Sequence, residues 1–170
     1  MTAITQEEVA TSNNRSFLLE RVQPALSGLM DGSLSTLAPI FAVVLATHHP
    51  LTAFFTGAAT ALGAGVSMAF SEGLSDTGDL TGRGNPVLRG AITGGGTFAG
   101  GIFHTLPFLI PGYGAAISAA IAVVGTELLT LAWLRHKFFQ TSFARSFVAV
   151  TVGGAIIATL SAILGLLAAG

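Results

Sequence analysis

The chain has 170 residues, 51% of them hydrophobic and only 9% charged, and its mean hydropathy is +0.75. Soluble domains carry about 25% charged residues, so composition excludes an ordinary soluble globular protein, and the lack of Cys excludes disulfides, thiolate metal sites and thiol redox chemistry. The net charge of −1 is uninformative; no nucleic-acid partner is expected, and the distribution of the charges carries the information.

In chain order, residues 1–24 form a polar tail with Glu7 and Glu8. It lacks the pattern of a cleaved leader, so the first span is expected to act as the insertion signal. Residues 1–15 are expected to be frayed. Residues 16–23 suit a short interfacial helix, with Phe17, Leu18, Leu19 and Val22 toward lipid, and equally an inward extension of the first span. Pro24 suits a helix start.

From residue 25 to 170 the chain reads as one membrane domain. Five apolar stretches, residues 25–47, 51–72, 88–110, 113–134 and 147–169, are each near the about 20 residues that span a bilayer. The loop 73–87 is rich in turn formers, holds Asp76, Asp79 and Arg83, and is too short for a folded module. The third span contains GAITGGGTFAGG, with Gly96 and Gly100 as a GxxxG pair. Small residues let membrane helices approach closely, either within one subunit or between two. Residues 135–145, RHKFFQTSFAR, suggest an interfacial helix placing Phe138, Phe139 and Phe143 among headgroups.

Threaded alternately, the five stretches put Arg15, Arg21, Arg83, Arg89, Arg135, Lys137 and Arg145 on one side. The turns around His48–Pro50 and Pro111–Gly112 carry no charge. Basic residues in short loops mark the cytoplasmic side. The expected fold is therefore an all-α membrane protein of five transmembrane helices, with a cytoplasmic N-terminus and a C-terminus outside.

Three acids fall within the spans: Asp31, Glu72 and Glu127. A carboxylate at the bilayer centre costs on the order of 3 kcal/mol, and such residues point to function. Asp31 lies roughly 9 Å into an inward-starting span, and Glu127 roughly 12 Å before Arg135, at 1.5 Å per residue. Glu72 ends the span that arrives at the inner face, so all three occupy the inner half, and no Lys or Arg is expected at that depth to pair with them. A carboxylate so placed is stabilised by a proton or a cation, the two states that a proton-coupled cation carrier exchanges. The plainer alternatives are protonated acids bonding a neighbouring helix and, for Glu72, a solvated helix end. Met68 lies one turn before Glu72; thioether plus carboxylate suits a borderline-soft divalent ion, although a methionine in such a helix also simply packs. His104, in the outer half of the third span, suits either a proton relay or a hydrogen bond to a neighbouring helix. No phosphate-cradling loop and no HExxH are present, and no enzymatic activity is expected.

LMDGSLSTLAPIFA in the first span and GAGVSMAFSEGLSD around the end of the second resemble the vacuolar iron transporter family. SDTGDLTGRGNPVLRG, HTLPFLIP and ELLTLAWLRHKF are similar to the membrane half of bacterial membrane-bound ferritin iron exporters. The resemblance implies a homodimeric, proton-coupled carrier of Fe²⁺, and also Mn²⁺, exporting metal from the cytoplasm across a bacterial inner membrane. The metal is substrate; no permanently bound cofactor is implied. By motif, Asp31 and Met68 match the family's metal path and Glu72 an acid at its inner mouth, with Glu127 and His104 as auxiliary polar or relay groups. The family's helical module between spans two and three is replaced here by a short loop, and only residues 1–24 stand where the exporters carry a ferritin-like domain. A separate metal-delivering protein is one expectation that follows. A non-transporting accessory subunit of a larger membrane complex is the alternative.

Overall fold

The computed structural model describes residues 13–79 and 81–169. These form five long helices and no strand: α1 (Asn13–Thr47), α2 (Pro50–Gly73), α3 (Pro86–Thr105), α4 (Tyr113–Phe139) and α5 (Phe143–Ala169). A 3₁₀ turn, Leu106–Leu109, follows α3. Helices α1, α2, α4 and α5 are long and apolar enough to cross a membrane. At 20 residues, α3 has the length too, about 30 Å, but its Gly and Thr content lowers its hydropathy.

Local chemistry sets the boundaries. His48 takes a left-handed conformation (φ 55°) after α1, and Pro50 opens α2. The Asn85 side chain accepts hydrogen bonds from the amides of Val87 and Leu88, capping α3, with Pro86 in its first turn. Gly112 (φ 96°) precedes α4, and left-handed Gln140 (φ 51°) ends it.

Two expectations are revised. Residues 16–23 are no separate surface helix: the helix is continuous from Asn13 and widens to π geometry over Leu18–Val22. The basic–aromatic segment is no separate helix either, since α4 runs on through Phe138 and Phe139 and α5 begins at Phe143. Of the expected frayed residues 1–15, residues 13–15 are helical and the others lie outside the described residues.

The burial pattern is inverted relative to a soluble protein. Ser33, Thr36, Arg89, Thr93, Thr97, His104 and Thr105 are buried, whereas large apolar side chains point outward. On α2 the outward stripe is Leu51, Phe55, Leu62, Val66 and Phe70, and on α5 it is Val148, Val152, Ile156, Ile163 and Leu167. Such stripes belong against lipid, where backbone groups must bond within each helix. The chain is accordingly an integral membrane protein.

The polar helix α3 is sandwiched between α1 and α2, and glycine makes this possible. A Cβ on Gly28 or Gly32 of α1 would overlap the backbone of Thr93 or Thr97, and one on Gly96 or Gly100 of α3 would meet Ala25 or Leu29. On the opposite side, Gly90 and Gly94 sit against Ala69 and Gly65 of α2. The GxxxG pair is thus used within the subunit. These pairings make α1 and α3 parallel and α2 antiparallel to both. At the far end Ile40, Val44, Ala53, Phe108, Ala116 and Ala120 form an apolar core.

Candidate functional site

At the end of the bundle where α2 meets α3, the loop is held by an ion-paired cluster. Arg89, fully buried one turn into α3, places Nε 2.9 Å from Oε1 of Glu72 and Nη2 3.1 Å from Oδ2 of Asp76. Its Nη1 donates to the carbonyls of Arg83 and Gly84 at 3.1 and 3.3 Å. Arg83 adds Nη2 to Glu72 at 2.7 Å and Nη1 to Asp76 at 3.2 Å. Two guanidinium groups thereby neutralise two carboxylates. This corrects the expectation that no cation lies at the depth of Glu72: a metal arriving there competes with Arg83 and Arg89. Asp76 is worked on in both directions. Lost hydration disfavours its charge, but the Thr81 hydroxyl, the Gly78 amide and the Arg89 and Arg83 charges prevail and hold its pKa below the ordinary carboxylate value.

A second cluster lies in the interior. Ser33 of α1, His104 of α3 and Glu127 of α4 meet there. The Ser33 hydroxyl contacts Oε1 of Glu127 and also the Leu29 carbonyl, at 2.6 Å. His104 Nδ1 is 2.9 Å from the Gly100 carbonyl. A carbonyl only accepts, so Nδ1 carries the donated hydrogen. The other ring nitrogen, Nε2, lies 3.0 Å from Oε2 of Glu127. Were the imidazole neutral and the carboxylate charged, that contact would set lone pair against lone pair. It becomes attractive when one proton is shared between the two groups. Beside Glu127 a cleft of about 500 Å³ runs between Leu29, Phe103, Thr126, Thr130 and Leu134.

Asp31, two residues before Ser33, is half-buried and makes no side-chain hydrogen bond or ion pair among the described residues. Met68 is half-buried on α2. Among the described residues no three His, Asp or Glu side chains gather as a ligand set. Of the five expected site residues, the fold thus joins Glu127 to His104 and gives Glu72 to the arginine cluster. Arg89, Asp76 and Ser33 went unrecognised in the sequence. Asp76 lies in the loop beyond α2, so no helical spacing to Glu72 marked it or Arg89, and nothing local marks Ser33 among the hydroxyls of α1.

No protein-family model, curated protein or solved structure matches this chain.

Proposed function

We propose that this protein is a proton-coupled carrier of divalent metal ions, Fe²⁺ or Mn²⁺, that crosses a bacterial inner membrane with five helices and exports metal from the cytoplasm. The support is the Ser33–His104–Glu127 cluster: one buried proton position, built from three helices and bordered by a cleft. A carrier needs such a position, because metal movement against a gradient requires a group that gains and loses a proton as the ion passes. Asp31 stands within one turn of Ser33 and supplies the carboxylate for the ion. Met68 supplies the softer ligand, and Glu72 joins only when Arg83 and Arg89 release it. A second copy, contributing its own Asp31, completes the ligand set in this proposal.

Reconstituting the chain alone in liposomes with an imposed pH gradient tests it. Metal flux should rise with the gradient. Asp31→Asn should abolish flux, because the amide keeps the shape and loses the charge. Glu127→Gln should uncouple it, leaving metal flux independent of the gradient or absent. Met68→Leu should impair Fe²⁺ more than Mn²⁺. An absence of flux in the wild-type chain, or a Glu127→Gln variant that stays fully coupled, would reject the carrier and leave the accessory-subunit reading in its place.

A further inference from the structure

Among the arginines that are not exposed, Arg83, Arg89 and Arg135, Arg135 stands apart. Arg83 and Arg89 are matched by carboxylates, and the Lys137 ammonium lies over the Trp133 and Phe138 rings at 4.9 and 5.7 Å. Arg135 forms no ion pair with a carboxylate among the described residues. Among the described residues its Nε is buried without a hydrogen-bond partner, and its Nη1 meets only the Met30 thioether, at 3.7 Å. A thioether is a weak acceptor, so the strongest donor group in this region is left unsatisfied.

Arg135 lines a cleft of about 480 Å³ between residues 23–30 of α1 and the end of α4. Gln23 and Ser27 provide further polar groups in its wall, and Leu26, Met30 and Phe139 provide apolar ones. Trp133, two residues before Arg135 on α4, is a residue of the bilayer–water boundary type. A planar fork of N–H donors matches the oxygens of a phosphate, and basic pockets between membrane helices at this level take lipid headgroups. The mixed lining suits a ligand charged at one end and apolar at the other.

We infer that the Arg135 cleft binds a phosphate ester, that of an anionic phospholipid headgroup, with the guanidinium on the phosphate and the acyl chains running along Leu26 and Phe139. This does not depend on the chain being a carrier. Native mass spectrometry of the full-length protein in detergent, titrated separately with phosphatidylglycerol, phosphatidylcholine and glycerol 3-phosphate, provides the test. The wild type should retain phosphatidylglycerol in preference to phosphatidylcholine. Arg135→Gln should weaken that retention about tenfold, the factor that loss of a charge-assisted hydrogen bond carries, while Lys137→Gln leaves it intact. Ser27→Phe, which fills the cleft from an exposed position and retains the arginine, should also lose the lipid, so the outcome does not hang on the folding of one variant. Arg135-dependent binding of glycerol 3-phosphate without lipid binding would keep the phosphate site and move its source to the aqueous phase. Equal retention by wild type, Arg135→Gln and Ser27→Phe, or no phosphate-bearing ligand on the wild type, would overturn it.

Discussion

Arg89 shows how one side chain organises an end of the molecule. Its guanidinium reaches two carboxylates and three loop carbonyls, those of Asp76, Arg83 and Gly84, with no exposure to solvent. Removing one member of such a set strands the others, at about 3 kcal/mol for a buried pair. Arg89→Ala should therefore lower the melting temperature in detergent well below that of Arg15→Ala, an exposed basic residue with no such partners among the described residues. Arg89→Lys should recover only part of the loss, since a single ammonium cannot reproduce the fork. A neutral Arg89→Ala would show that the cluster contributes nothing net. The same cluster predicts a pH dependence. The folded-state pKa of Asp76 lies below its ordinary value, so its stabilisation is present above about pH 4, the unfolded value, and is lost as pH falls through the folded one. Melting temperatures measured from pH 7 down to pH 3 should fall less steeply in Asp76→Asn than in the wild type. Parallel curves would remove Asp76 from the account.

At the scale of elements, the glycines of α1 and α3 decide how closely the helices lie. Between membrane helices, packing rather than water exclusion drives association, so a methyl group at the contact acts directly. Gly32→Ala puts a Cβ into the Thr97 backbone, which cannot yield as a flexible side chain would. It should destabilise by about 1–3 kcal/mol, the range for overpacking. Gly95 belongs to the same run but has nothing within 4 Å of an added Cβ. Gly95→Ala should be neutral or mildly stabilising, because alanine favours helix over glycine by about 1 kcal/mol. Denaturation of the two variants side by side checks this, and equal effects would show that the interlock is not what sets the spacing. The same geometry keeps Gly28 inside the subunit and away from any second copy, since Thr93 and Thr97 of α3 pack on it.

For the whole molecule, the proposed orientation and dimer are separable. Helices that alternate in direction bring the ends carrying Arg21, Arg83, Arg89, Arg135 and Lys137 to one side of the bundle, and basic ends face the cytoplasm. Reporter fusions at the two termini should place the N-terminus inside and the C-terminus outside. Finding both on one side would remove the five-span topology. The proposed dimer apposes Asp31 of one copy to Asp31 of the other. Ser35, one turn along the same helix and half-buried, is the position at which a single introduced Cys should cross-link, with no native thiol to interfere. A monomer in both lipid and mild detergent would rule out a ligand set shared across subunits.

Much of the fold was legible in the chain itself because it follows from local quantities. Apolar run length set the five helices. Pro50 and Pro86 stand at the starts of α2 and α3, whereas Pro24, expected to open a helix, lies within α1, which already runs from Asn13; the uncharged turns at His48–His49 and Pro111–Gly112 stood where the chain reverses. The presence of acids within apolar runs was equally plain, and singled out Glu127 and His104. Which groups these acids meet was not. Glu72 and Arg89 are 17 positions apart, and Ser33 and Glu127 are 94 apart; no period or propensity encodes such pairings. They arise because small residues let α3 sink between α1 and α2 and so bring a buried arginine and a buried histidine to particular carboxylates. Charge type is a property of the residue, whereas charge compensation is a property of the packing. Sequence could therefore name the acids, and only the tertiary structure decided that one is neutralised by arginine and another lies against a buried histidine.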